Sequence, residues 1–248
     1  MILRSKSGPL FDPKHFRPIS ATGMRELDRR AIENFHMPTL LLMENAGRAV
    51  ALAVCRTSAL KKNPKAPVIV FCGGGNNGGD GFAAARYLSN WGHTVKLLLD
   101  RAPGRLQGDA LVQWNAAKSL KIPFHIFHSR EKLVQFVKQW PAAAVDALLG
   151  TGFKGKPKPP LPMIFEQVNR AKKLVVAADV PSGLDADEGL ASDGSAIRAD
   201  VTVTLGAMKQ SFLKKEASDW TGKVTVAEIG FPKALIEAHS TPFINQQQ

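Results

Sequence analysis

The sequence predicts an α/β fold: a Rossmann-like, doubly wound, mostly parallel sheet in a three-layer sandwich, with additional helices ahead of it. Three observations carry this. From Pro67 onward, short β-rich runs alternate with segments of helical period. Most of those runs lack polar alternation, as strands buried on both faces do. The junction that opens the pattern, Gly73 to Gly81, is rich in glycine and lies between a strand and a helix, where open α/β sheets place their ligand-binding turns.

Taken in order, Met24, Leu27, Ala31, Ile32 and Phe35 recur at helical spacing, with Thr22 placed to cap the helix. A second helix is expected from near Pro38, where proline is tolerated, with Leu41, Leu42, Ala46, Ala49 and Val50 as its apolar face. These two helices are read as a cover on the sheet. They carry enough apolar surface to cover a neighbour as well, so a homodimer is expected. Strands are drawn at Val68 to Cys72, Thr94 to Leu99, Phe124 to Phe127, Ala142 to Leu149, Leu174 to Ala178, Val201 to Leu205 and Val224 to Ile229. Between them, Phe82, Ala85 and Leu88 share a helix face that Gly92 closes in the left-handed conformation. Further helices fall near Gln107 to Ser119, Arg130 to Gln139 and Pro162 to Lys172. Residues 1–20 read as an N-terminal extension, 21–236 as the domain and 237–248 as a tail.

Composition narrows the function classes. The longest apolar runs are far shorter than the roughly 20 residues of a membrane-spanning helix, so no membrane association is expected. Arg4, Lys6, Lys14 and Arg17 are followed by no apolar stretch, which argues against a secretory signal and leaves an organelle transit segment open. Cys55 and Cys72 read as buried thiols in a reducing, cytoplasmic setting. The net charge of +12 favours anionic partners. Nucleic acid is not expected among them, because Trp91, Trp114, Trp140 and Trp220 are scattered and form no stacking platform. None of the six histidines pairs at metal-ligand spacing and no serine lies in a nucleophile elbow, so zinc and acyl-transfer chemistry lack support.

Three loops carry the chemistry. In Gly73 to Gly81, glycines are expected to turn with positive φ and to approach an anion closely, while N–H groups at the helix start face a pyrophosphate. Gly73, Gly75 and Gly78 satisfy G-x-G-x-x-G, and Asp100 follows as a ribose ligand would in a dehydrogenase. Asn76, Asn77 and Asp80, however, bring oxygens into a turn usually kept bare, and oxygen donors suit hard cations. A second loop, Asp146 to Gly155, leaves another strand end; Asp146 reads either as a crevice carboxylate or as a turn-former. The third, Asp179 to Asp185, fixes Asp179 beside the crevice as a general acid or base, with an Asx turn as an equal alternative.

Asn76-Asn77-Gly78-Gly79-Asp80-Gly81 together with Asp179-Val180-Pro181-Ser182-Gly183-Leu184-Asp185 resembles the NAD(P)H-hydrate epimerase family, the YjeF N-terminal domain. The resemblance extends to Met43 to Gly47, Asp146 to Gly155, Ala199 to Thr204 and Gly206 to Lys209. It implies an isomerase that interconverts the R and S forms of NADHX and NADPHX, reduced cofactors hydrated at C6. It implies that the substrate is contacted by Asn76, Asn77, Gly78, Gly79, Asp80, Gly150, Thr151, Gly152, Phe153, Lys154, Gly155, Lys156 and Asp179, with Asp179 as the catalytic residue. It further implies potassium held by Asn77, Asp146 and Ser182, and an ADP- or ATP-dependent NAD(P)H-hydrate dehydratase as functional partner. In the mechanism expected on this basis, Asp179 protonates the departing hydroxyl, water re-adds from the other face, and Asp179 cycles between acid and base. The alternatives are a nicotinamide-dependent reductase and a catalytically silent protein- or RNA-binding module of the same fold.

Overall fold

The computed structural model describes residues 18–239 apart from 64, 128, 139–141 and 192–193. Arg4 to Arg17, Gln139, Trp140 and the tail beyond 239 lie outside the described residues. The elements are α1 (Ala21–Phe35), α2 (Thr39–Cys55), α3 (Ser58–Lys62), β1 (Val68–Cys72), α4 (Asn76–Asn90), β2 (Val95–Leu99), α5 (Gly108–Ser119), β3 (Phe124–Ile126), α6 (Arg130–Lys138), β4 (Ala143–Ala147), α7 (Leu161–Ala171), β5 (Leu174–Ala178), β6 (Val201–Leu205), α8 (Lys215–Thr221), β7 (Lys223–Ala227) and α9 (Lys233–His239).

All seven strands pair in parallel, in the order β3-β2-β1-β4-β5-β6-β7. The strand order reverses between β1 and β4. A crevice opens outside the carboxyl ends of the strands at such a switch point. Two apolar clusters fill the space on the two faces. One holds Leu27, Val50, Val70, Phe82, Leu97, Trp114 and Val145, and the other Phe71, Leu98, Leu133, Ile164, Phe165 and Val175. The alternation of Val70 and Phe71 between clusters is the period of a strand buried on both sides.

The opening helices differ from expectation in detail. Ser20, not Thr22, caps α1: its hydroxyl accepts from Gly23 N at 3.1 Å, and Thr22 lies inside the first turn. Ser20 wins because the chain on its N-terminal side is already fixed, Ile19 N donating to Met208 O and Gln210 N to Ile19 O. Of the apolar residues assigned to the sheet face, Ile32, Phe35 and Leu41 are instead exposed. The buried stripe of α2 is Leu42, Met43, Ala46, Gly47, Val50, Ala51 and Val54, and this stripe packs on α4. Ile19 bridges to Lys209, and α9 runs from Lys233 to His239.

Three strands stop short of their expected ends, β3 by one residue at Ile126 and β4 and β7 by two each, the latter two because the residues beyond them are used elsewhere. Leu148 N bonds the Asp146 carboxylate and Leu149 N bonds Ser182 Oγ, which takes both out of the β4 ladder. The carbonyl of Ile229 accepts from Asn45 Nδ2, beyond the end of β7.

Candidate functional site

The glycine turn is shorter than its sequence suggests, because α4 begins at Asn76 and absorbs Asn76 to Gly81 into its first two turns. None of the glycines between Gly73 and Gly81 has a positive φ, so the expected reason for them is wrong. Close packing replaces it. A Cβ at Gly78 would overlap the carbonyl oxygen of Gly73, one at Gly79 would meet Met43 of α2, and one at Gly81 would meet Ala147 of β4. These contacts draw the helix start against the strand ends. The first helical bond there is Gly79 N to Gly75 O at 3.1 Å, so the N–H groups of Asn76, Asn77 and Gly78 precede the helical ladder, as the first donors of a helix do.

Above this turn lies a cavity of about 690 Å³, walled by Asp28 and Met24 of α1, Leu42 and Met43 of α2, Gly74 to Asn77, Asp80, Arg101, Leu148 to Lys154, Asp179 and Leu205. Asn76, Asn77, Asp80, Gly150, Thr151, Gly152, Phe153, Lys154 and Asp179 thus share one pocket as expected from the sequence. Gly78 and Gly79 do not line it, being turned into the packing of α4, and Gly155 and Lys156 lie outside its wall. Asp100 is held by Arg101 through bonds of 2.8 Å to both oxygens, and it is Arg101 that enters the pocket, over Gly74. A dehydrogenase-like ribose ligand is therefore not what this aspartate supplies. Lys154, in turn, is ion-paired to Asp185 and Asp187 at 3.0 and 2.9 Å.

Asp179 stands at the end of β5 with φ of +67°, the left-handed region that side chains other than glycine rarely occupy. Such strain persists where surrounding structure enforces it and gathers at active sites. Here its N–H is taken by Val203 O at 2.8 Å, and the carboxylate is gripped from four directions. Oδ1 meets Lys209 Nζ at 2.7 Å and Leu205 N at 3.3 Å; Oδ2 meets Thr151 N at 3.0 Å and the Thr151 hydroxyl. Gly150 leaves room for this approach, its missing Cβ lying 3.3 Å from Oδ2. Burial pushes this carboxyl up, but Lys209, with the Thr151 donors, outweighs it and holds the group below the ordinary carboxylate range.

Lys209 was not singled out as a site residue in the sequence, yet its side chain is wholly buried. Its remaining bonds go to the carbonyls of Leu205 and Ala207, at 2.7 and 3.1 Å. The available signal was a single lysine closing the apolar stretch after β6, away from the exposed lysine runs.

Beneath the pocket, Asn77, Asp146 and Ser182 converge. Ser182 donates to Asp146 from N and Oγ at 2.7 and 2.6 Å, Leu149 O lies 3.2 Å from the same hydroxyl, and Asn77 Nδ2 donates to Leu149 O at 2.8 Å. Asn77 Oδ1 is buried with no hydrogen-bond partner. A buried acceptor without a donor costs about 1–3 kcal/mol. An amide oxygen, a hydroxyl, a carbonyl and one carboxylate form a donor set that fits a hard cation of low charge. Burial raises the Asp146 carboxyl to about 6 against the Ser182 bonds that lower it.

A family model described as YjeF-related protein N-terminus matches residues 39–211. The chain is 36% identical over 225 residues to the NAD(P)H-hydrate epimerase of Rhodopirellula baltica, covering 90% of this chain and 88% of that protein. It is 38% identical over 216 residues to the NAD(P)H-hydrate epimerase of Pirellula staleyi, covering 86% and 92%. The bifunctional NAD(P)H-hydrate repair enzyme Nnr of Moorella thermoacetica is 34% identical, with 88% of this chain matched to 41% of that protein. In structure the chain resembles the crystal structure of yeast ynu0, with a TM-score of 0.75, 25% identity and coverage of 94% of this chain and 97% of the other.

Proposed function

The chain belongs to the family of YjeF-related N-terminal domains, and on that premise we propose that its pocket takes NADHX and NADPHX and interconverts their R and S epimers. It is thus an isomerase acting in the repair of nicotinamide nucleotides. The observation that supports the site assignment is the Asp179–Lys209 pair, a charged couple buried at the pocket wall beside the helix start that receives an anion.

The chemistry follows from charge. The diphosphate lies against the N–H groups that open α4, where the helix dipole favours negative charge. That leaves the hydrated ring near Asp179. When the C6 hydroxyl departs as water, the ring nitrogen's electron pair closes a C6–N1 double bond and the ring becomes cationic. Asp179, held ionised by Lys209, stabilises that cation and receives the proton of the water that returns to the other face. Of the two parts expected of Asp179, acid and base, a carboxyl held below its ordinary range favours that of charged partner and base for the epimer that leaves its hydroxyl to another donor.

Asn77, Asp146 and Ser182 would hold potassium. When bound, the ion offsets the buried Asp146 charge and satisfies the free Asn77 oxygen, tying the ends of β1, β4 and β5 together.

A partner dehydratase removes the hydrate; the name of the Moorella protein joins two activities in one chain, and this chain matches 41% of it. Cys55 and Cys72 are both free thiols, in keeping with a reducing cytoplasm. No helix among the described residues is long and apolar enough to cross a membrane. Exposed Ile32, Phe35 and Leu41 support a homodimer through α1 and α2, which light scattering on the purified chain would read as twice the 26.8 kDa mass.

The test is incubation with purified S or R hydrate and chromatographic separation of the epimers. Asp179→Asn should lower the rate at least about 100-fold while hydrate binding changes by less than about tenfold. Unchanged epimerisation in that variant would remove Asp179 from the mechanism. Consumption of reduced cofactor with a second substrate would favour the reductase reading.

A further inference from the structure

Epimerisation by loss and return of water needs a proton donor at C6, and Asp179 is held ionised. We propose that Asp28 of α1, which lines the same cavity as Asp179, is that donor; the inference rests on the epimerase reading of the pocket. The charged residues around Asp28 on its own helix are engaged elsewhere. Arg29 bonds Glu26 and Glu33, Arg30 bonds Glu26, and Arg25 bonds Thr22. Asp28 makes no hydrogen bond or ion pair to a described residue, although it is half-buried. It shares a helix face with Met24 and Arg25, one turn earlier, and all three line the cavity.

The position of Asp28 is fixed, because α1 is tied to the site at its start. Ile19 pairs with the Met208–Gln210 segment that carries Lys209, and Ala21 N donates to Asp187 Oδ1 at 2.6 Å. Asp187 is also the partner of Lys154 in the substrate loop. The helix that carries Asp28 is therefore anchored to the segment that supplies Lys209, the ion-pair partner of Asp179.

Charge separates the two carboxyls. Burial and the negative charge of Asp179 keep the Asp28 proton on to about 6, against the opposing charge of Lys209. The other charged residues lining the cavity are Arg25, Asp80, Arg101 and Lys154. Of these Asp80 is the rival donor, since burial, Asp179 and Asp28 hold its carboxyl well above the ordinary range. A pair of carboxyls pushed apart in this way divides into acid and base.

The step balances without a further reactant. The Asp28 carboxyl gives its proton to the C6 hydroxyl on the ring face turned toward α1, the C–O bond breaks with its electrons on oxygen, and water leaves. The N1 electron pair forms the C6–N1 double bond. Water then adds to C6 from the opposite face, the π electrons return to N1, and the surplus proton passes to Asp179. Exchange with solvent restores both groups; in the reverse direction the two carboxyls exchange parts, Asp179 giving its proton to the hydroxyl of the other epimer and the Asp28 carboxylate taking up the proton of the water that adds.

The experiment is the epimerisation of purified S hydrate between pH 5 and 9 by the wild-type chain and by Asp28→Asn, Asp28→Glu and Asp80→Asn. The wild-type kcat should fall as pH rises above about 6. Asp28→Asn should lower kcat by at least about 100-fold with KM within about threefold and without that falling limb, and Asp28→Glu should restore both in part. An Asp28→Asn rate within about threefold of wild type, or a limb that persists in Asp28→Asn and disappears in Asp80→Asn, overturns the assignment alone. If the wild-type chain epimerises neither hydrate, the reading of the pocket fails, and this inference fails with it.

Discussion

At the scale of single residues, the site stores its cost in two carboxyls with opposite tendencies. Asp28 has its folded pKa raised to about 6, so the folded state binds its proton more tightly than the unfolded chain. Its favourable contribution is present at pH below the ordinary aspartate value and is lost as pH rises through about 6. Asp28→Asn removes that loss. Thermal melts should show the variant more stable than wild type by about 1–2 kcal/mol at pH 8, allowing for partial exposure, and the difference should shrink toward zero near pH 4. Asp179 has the reverse sign. Burial opposes its charge but Lys209 and Thr151 prevail, so it stabilises the fold above the ordinary aspartate value and ceases to do so as pH falls. Lys209→Met would leave that carboxylate buried without its counter-ion and should destabilise the chain by about 3–5 kcal/mol. Combining it with Asp179→Asn should recover part of the loss, which denaturant unfolding of the two singles and the double would measure.

At the scale of elements, the glycines of α4 set propensity against packing. Alanine in place of a helical glycine stabilises by about 1 kcal/mol where space is free. At Gly78 it is not free, because the added carbon would overlap Gly73 O, and Gly78→Ala is expected to destabilise by more than about 2 kcal/mol. Gly75 has φ of −101° and ψ of −166°, a conformation alanine adopts, with nothing near its absent Cβ. Gly75→Ala should therefore leave the unfolding midpoint within about 0.5 kcal/mol of wild type. Equal effects at the two positions would contradict the packing account. The same contrast explains what the sequence made legible. Strand runs such as Val68 to Cys72 and the helix closed at Gly92 could be placed from period and from φ requirements that act locally. The role of Gly78, the capping by Ser20 and the exposure of Leu41 depend on which distant backbone each residue meets, and spacing along one chain does not encode that. The grouping of Asp146, Asn77 and Ser182 came from the family resemblance; their convergence has a topological reason, since each sits at its own strand end and parallel strands bring such ends together. Lys209 and Asp28 were not, because a buried lysine and a pocket-facing helical aspartate look like any surface charge until the ring of elements closes around them.

At the scale of the whole molecule, strand ends from both halves of the sheet meet over a single oxygen-rich cluster. Asn77 comes from the helix after β1, Asp146 from β4 and Ser182 from the turn after β5. A cation bound there acts on the folded state alone, since the unfolded chain does not assemble the set, and it should stabilise according to its concentration relative to its Kd. With a net charge of +12 the chain also responds to salt in general, because screening weakens its attraction for an anionic dinucleotide. The two effects separate when ionic strength is held constant. Replacing tetramethylammonium chloride by potassium chloride at fixed total salt should raise the melting temperature and the epimerisation rate together. Asn77→Ala removes the unpartnered oxygen and its sibling bond to Leu149, and in that variant the exchange of cations should change neither. A melting temperature indifferent to potassium in the wild-type chain would mean that the free Asn77 oxygen serves the substrate instead, and the hydrate should then raise the melting temperature in wild type and fail to do so in Asn77→Ala.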